Sequence, residues 1–426
     1  MVAVDDVGLS VLYWVKLGKE IMEITTQVLL WAFGLALILG IVATKTNFCT
    51  MGAVSDIVNI GDTGRMRAWV FAMGAAILGV LVLGQLGLVD MSLTASNDTA
   101  NPPYRTPIFA WPRNVLGGII FGIGMTLGSG CGNKTFLRIG GGNIKSIFVL
   151  LMMGIAAYLM IFTNFSYDYF ISWMEPAFVD LGAYDIEDQS ISSMISGFGG
   201  FDANITSILV AALLGVMLIQ WALSSKDFTR SFDNILAGIV VAAVVVTAWW
   251  VTTGELGVEF LDEIDMMDER PFAAGAQSFT FVQPSAHLLR WIETGFSSQM
   301  LTFALVAAAG VLVGAFLYSL VMRKFRFEWF SSWKDFLSHI IGGFLMGIGG
   351  VLAMGCTIGQ AVTGVSTLAL GSFITFAAIV FGSALTMKIQ YYGMVYEDES
   401  NFFKALAASL ADMRLLPNSM RQLEKV

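Results

Sequence analysis

Residues 117–143 read GGIIFGIGMTLGSGCGNKTFLRIGGGN. The stretch begins as an apolar helix, becomes too rich in glycine to remain one, and places Cys131 where the apolar run stops. The design returns 225 positions later, from Gly342, as GGFLMGIGGVLAMGCTIGQ, with Cys356 answering Cys131. Eight of the fifteen positions between Gly117 and Cys131 are identical in the second copy: Gly117, Gly118, Gly122, Ile123, Gly124, Leu127, Gly130 and Cys131. The chain therefore reads as two related halves, each presenting a thiol at the end of an interrupted helix.

Outward from this pair, the chain is 56% hydrophobic and 13% charged, with a mean hydropathy of +0.74. Soluble domains carry about one quarter charged residues, so this composition belongs in a bilayer. A span needs about 20 apolar residues. Nine stretches qualify, at 27–43, 68–89, 114–131, 144–165, 205–224, 233–253, 300–322, 336–355 and 371–390. Two shorter apolar runs, 47–60 and 357–370, read as re-entrant half-membrane segments. The expected fold is an all-α polytopic membrane protein of about nine transmembrane helices plus these half-helices.

Lysine and arginine set the expected orientation. Loops 44–67, 132–145, 225–232 and 323–335, with the tail from Lys388, hold 17 of the 23 basic residues. Placing them in the cytoplasm puts the N-terminus outside and the C-terminus inside. The segment ending in Cys131 then runs inward and that ending in Cys356 outward, which makes the halves an inverted repeat. The division expected is a first repeat over 27–165, an acidic outside loop over 166–204 and connecting helices over 205–253. A second acidic outside loop follows over 254–299, then a second repeat core over 300–390 and a cytoplasmic tail over 391–426, whose 402–410 stretch reads as an amphipathic surface helix. The match of Lys45–Phe48 (KTNF) with Lys324–Phe327 (KFRF) is weak, and it leaves the third thiol, Cys49, in one half only.

A lone membrane cysteine is ordinarily a small packing residue. The symmetric placement of Cys131 and Cys356 argues for more. Gly130 and Gly355 would let backbone pass close to a solute, and polar Asn133, Thr357 and Gln360 follow directly. A thiol is a weak donor with a polarisable sulfur, able to touch a soft anion without trapping it. Lys134, Arg138 and, more distantly, Lys45 read either as ordinary cytoplasmic-loop charges or as groups that attract an anion to the inner mouth. The two histidines, His287 and His339, have no metal-ligand partner at helical spacing, and no Walker-type loop is present. No cofactor, catalytic residue, metal site or nucleic-acid partner is expected. A membrane sulfurtransferase or redox protein forming a cysteine persulfide, and a structural protein with packing cysteines, are the competing classes.

The paired GSGC (128–131) and AMGC (353–356) segments, the GCGNKT…RIGGGN continuation and NFCTMGAVSDI (47–57) closely resemble the YeeE/YedE family. The resemblance covers about 28–165 and 300–390. Characterised members take up thiosulfate across the bacterial inner membrane. It implies an hourglass-like inverted repeat in which cysteines lining a central path pass the anion along by S–H···S contacts. Cys131 and Cys356 match the family motif directly, and Cys49 would be a third relay thiol. It also implies a small cytoplasmic sulfur-carrier protein as a partner. GCGN stands where the family has a GCTSG-type continuation, and the two acidic loops are long, so other sulfur oxyanions or selenium analogues stay open as substrates.

Overall fold

The computed structural model describes residues 5–267, 269–396, 401–421 and 423, with side chains from residue 24 onward. The principal helices are α1 (Asp5–Lys45), α2 (Thr50–Ile60), α3 (Gly64–Gln85), α4 (Trp111–Leu127), α5 (Gly132–Gly140) and α6 (Lys145–Phe162). They continue with α7 (Ala203–Leu223), α8 (Phe232–Thr253), α9 (Gln283–Glu293), α10 (Phe303–Val321), α11 (Trp333–Leu352), a π-helix (Gly359–Gly364), α12 (Leu370–Val395) and α13 (Phe402–Asp412). Among the described residues nine spans are long and apolar enough to cross a bilayer. The fold is an all-α polytopic membrane protein; among the described residues strand is confined to β1 (Ile108–Phe109), antiparallel to β2 (Val179–Asp180). In lipid the backbone must satisfy its own hydrogen bonds, and helices do so without help from sequence-distant partners.

Glycine decides how the helices meet. A Cβ on Gly117 would fall 2.6 Å from the backbone nitrogen of Ala353, and one on Gly124 2.7 Å from that of Met346. Only bare backbone lets α4 and α11 approach so closely. The register, 117 beside 353 and 124 beside 346, makes the two Cys-bearing helices antiparallel. By contrast Gly118 sits beside Thr375 and the Thr126 hydroxyl meets that of Ser383 at 2.8 Å, so α4 and α12 are parallel. Gly343 beside Val149 and Gly347 beside Ala156 make α11 and α6 parallel.

The other contacts answer one another in the same way. α1 packs on α10 as α8 packs on α3; α6 on α9 as α12 on α2; α2 on α3 as α9 on α10. α5 touches α10, α1 and α6, and the π-helix touches α3, α8 and α12. The correspondence thus runs α1 with α8, α2 with α9, α3 with α10, α4 with α11, α5 with the π-helix and α6 with α12. It reaches beyond 300–390 to draw in α8 and α9, and it leaves α7, which packs on α3, outside. It also pairs Lys45–Phe48 with the end of α8 rather than with Lys324–Phe327.

Part of the second acidic loop is interior. Residues 276–282 thread past α8 and the π-helix fully buried. Side chains satisfy their backbone: Thr252 donates to the Gln277 carbonyl at 2.7 Å and Thr363 to that of Phe279 at 2.9 Å. Non-helical backbone inside a membrane protein requires this. The tail helix α13 packs on α12, with Lys388 and Tyr392 both reaching Asp412.

Candidate functional site

All three cysteines sit in one local motif. A long helix ends, one residue adopts the left-handed conformation, and two residues later a cysteine begins a short helix. The left-handed residues are Asn47 (φ 52°), Ser129 (φ 59°) and Met354 (φ 58°), two positions before Cys49, Cys131 and Cys356. Each turn is closed by a bond reaching back five residues: Phe48 N–H to the Ala43 carbonyl at 3.1 Å, Gly130 to Met125 at 2.9 Å, Gly355 to Gly350 at 2.7 Å. Left-handed backbone at a residue with a Cβ costs roughly 1–2 kcal/mol. Three such residues, each at the same distance from a thiol, mark a constrained site.

The short helices α2, α5 and the π-helix turn their N-terminal ends toward one buried region. Cys49 is 3% exposed and Cys131 and Cys356 are 0% exposed. The Cys49 and Cys131 thiols lie against each other, and the Thr357 hydroxyl lies against Cys131 on its other side. Thr357 follows Cys356 in the chain, so the Cys356 turn adjoins the Cys49–Cys131 pair. The Cys356 sulfur accepts from the N–H of Phe281 at 3.2 Å and of Gly359 at 3.4 Å. Backbone N–H groups of Gly52 and Lys134, likewise three residues on, face Cys49 and Cys131. Aligned peptide dipoles and free N–H groups make such ends favourable for negative charge without any charged side chain.

Around these thiols, buried polar atoms find no nitrogen or oxygen partner in the protein: both amide atoms of Asn133, the Tyr104 hydroxyl, Oε1 of Gln360, and the hydroxyls of Thr357 and Thr280, which have only the Cys131 and Cys356 sulfurs beside them. Buried polar groups are normally paired, so a concentration of unpaired ones beside three thiols describes a surface shaped for a polar solute. Burial, and then the neighbouring Cys356, pushes the Tyr104 phenol well above its ordinary ionisation, which keeps it a neutral donor. Among the described residues no group of three or more His, Cys, Asp or Glu is arranged to hold a metal ion.

One cavity lies beside the Cys49 and Cys131 turns and another beside the Cys356 turn. The first, of about 310 Å³, is lined by Asn47, Lys134, Arg138, Lys324, Arg326 and Glu328 among others. Lys134 donates to the Asn47 side chain, tying α5 to the Cys49 turn, and Arg138 donates to the Ser129 carbonyl at 2.8 Å. Burial pushes the Glu328 carboxyl up, but Arg326 and Asn143 outweigh it and hold it below its ordinary value. The other, of about 270 Å³, lies at the Cys356 end, bordered by Arg113, Thr280, Gln283, Met354 and Gly355.

Most residues singled out from sequence meet here: Cys49, Cys131, Cys356, Asn133, Thr357, Gln360, Lys134 and Arg138. Two readings change. Lys45 does not line the cavity; it pairs with Asp233 at 3.5 Å and lies over the Phe232 ring, linking α1 to α8. The space left by Gly130 and Gly355 is taken by side chains of the following helix, Lys134 Cγ at 3.0 Å and Gln360 Cγ at 3.3 Å from where a Cβ would stand. Sequence reasoning passed over Tyr104, Thr280, Phe281 and Arg113. The run of Gln277, Ser278 and Thr280 depresses hydropathy enough to read as loop, while Phe279, Phe281 and Val282 between them carried the only signal of burial.

The profile of the sulphur transport family matches residues 45–385. A protein of Spirochaeta thermophila named thiosulfate transporter TsuA is 26% identical over 353 residues, 81% of this chain and 93% of that one. The Escherichia coli protein of the same name is 22% identical over 366 residues, 81% of this chain and 90% of its own length.

Proposed function

The chain belongs to the sulphur transport family, and from that premise we propose that it takes up thiosulfate, or a closely related sulfur anion, across the bacterial inner membrane. The anion enters at the Cys356 end and leaves at the Cys49–Cys131 end, where the cytoplasmic loops gather the basic residues. It is passed between thiols: each S–H donates weakly to the incoming sulfur and lets it go as the next is reached. Weak, successive binding is what conduction requires. The convergent helix ends lower the energy of the anion along the way without fixing it to a lysine or arginine. The six-element correspondence is the frame, an inverted repeat whose halves meet at the thiols.

The observation that carries this reading is the threefold motif: three buried thiols, each starting a short helix, gathered between two cavities. A persulfide-forming enzyme would need a thiol open to its co-substrate, and these thiols are buried. The test is uptake of radiolabelled thiosulfate by cells lacking their own importers. Cells making the wild-type protein should accumulate label and cells making Cys131→Ser should not. Failure of the wild type, with the protein in the membrane, would overturn thiosulfate as the substrate; selenium and other sulfur anions would then be tried in the same cells.

A further inference from the structure

Arg113 stands in the first turn of α4 and borders the 270 Å³ cavity at the Cys356 end. Its side chain has no hydrogen bond or ion pair with any described residue, and its Nε is buried without a partner. The other arginines near the membrane-embedded core are engaged: Arg65 with Asp56, Arg105 with Asp188, Arg138 with the Ser129 carbonyl. A cation on a membrane helix that faces a cavity and has no counter-charge is a binding group until shown otherwise. The lining of this cavity includes no carboxylate, whereas Glu328 stands among the cations at the opposite end. The remaining polar groups are of the kind that solvate an anion. The Thr280 hydroxyl has no nitrogen or oxygen partner and only the Cys356 sulfur beside it, and the Gln283 amide already donates to Asn101 at 2.7 Å, which fixes that wall of the cavity.

We infer that Arg113 and Thr280 form a capture site for the oxyanion end of a small sulfur anion, in the cavity that leads to Cys356. This rests on the transport reading and adds the step before the first thiol. A guanidinium presents parallel N–H donors that match two oxygens of a tetrahedral oxyanion. Thr280 lies against Cys356, and Gly355 lines the same cavity. An anion held by its oxygens at Arg113 can therefore turn a terminal sulfur toward the thiol. The site binds by charge and shape and accepts sulfate as well as thiosulfate; the thiol beyond it favours the anion with a soft sulfur.

The experiment pairs uptake kinetics with equilibrium binding to the purified protein, using radiolabelled thiosulfate and, as competitor, sulfate. Arg113→Gln should raise the KM for uptake by about tenfold, the loss expected for a charged hydrogen bond, with little change in the maximal rate. Arg113→Lys should recover part of it. In the binding assay Cys131→Ser should retain thiosulfate binding and its competition by sulfate, and Arg113→Gln should lose both. Wild-type binding that depends on Arg113 in a protein that does not transport would keep this site and overturn the transport reading. An unchanged KM, or equal binding in Arg113→Gln and wild type, or no binding of either anion by wild type, would overturn the site.

Discussion

The two sides of the thiol cluster are built on the same scaffold and finished differently. In the first half, the short helix α2 brings Cys49 against Cys131. In the second half α9 stands in α2's place, and the residue ahead of it that reaches Cys356 is Phe281, which offers a backbone N–H where α2 offers a thiol. The joints differ too. α2 is held to α3 by the ion pair of Asp56 with Arg65, while α9 is held to α10 by a neutral contact, His287 Nδ1 to the Thr302 hydroxyl at 2.9 Å. Packing needs the symmetry; the proposed route does not. At the place matching Cys49 the second half offers a backbone N–H in its stead.

That comparison ranks the substitutions. Cys131 touches both the Cys49 thiol and the Thr357 hydroxyl next to Cys356, so Cys131→Ser should lower uptake at least about tenfold, corresponding to roughly 1.4 kcal/mol of barrier. Cys356→Ser should fall nearly as far, since no other thiol serves that end. Cys49→Ser should lose less, because a non-thiol donor already works at the matching place in the other half. Equal loss at Cys49 and Cys131 in initial-rate measurements would break the comparison.

Smaller effects separate packing from path. Gly124→Ala places a Cβ 2.7 Å from the Met346 nitrogen, within backbone that cannot yield. It should lower the midpoint of thermal unfolding in detergent by an amount equivalent to about 1–3 kcal/mol. Gly130→Ala meets no backbone, only the Lys134 side chain at Cγ (3.0 Å) and Cβ (3.2 Å), and should lower that midpoint less. Similar losses in both variants would mean that the cysteine turns are as tightly packed as the helix crossing.

The last effect concerns the two joints. Burial pushes His287 down to about 3, so it is neutral in the folded protein at any ordinary pH. The unfolded chain takes up a proton on this residue below about pH 6.5. Stability should therefore decline as pH falls from about 6.5 toward 3, by on the order of 1 kcal/mol at pH 5.5. His287→Gln should flatten that part of the curve, read as unfolding midpoint against pH. A profile identical to wild type would place the titration elsewhere.

The duplicated Gly–Cys stretch was legible because close helix packing and the turn before each thiol demand the same residue types twice. The spans were legible because lipid enforces length and hydropathy. Cys49 was harder: Phe48 stands where the other turns have glycine, and only the left-handed Asn47 reveals the common motif. The partner of α2 was hidden for another reason. The segment 276–287 is buried among protein groups rather than lipid, so its polar side chains are needed inside and make it look like surface. Arg113 was passed over because nothing in its sequence neighbourhood sets it apart; the cavity and the unpartnered side chain distinguish it.

The measurement that tests the central claim most directly is thiosulfate uptake by proteoliposomes containing the purified protein, comparing wild type with Cys131→Ser and Cys356→Ser at matched protein content. Passage along the thiols predicts rapid accumulation by wild type and a loss of at least about tenfold in each variant, with unfolding midpoints unchanged. Uptake by both variants at the wild-type rate would contradict it and reduce the cysteines to packing residues.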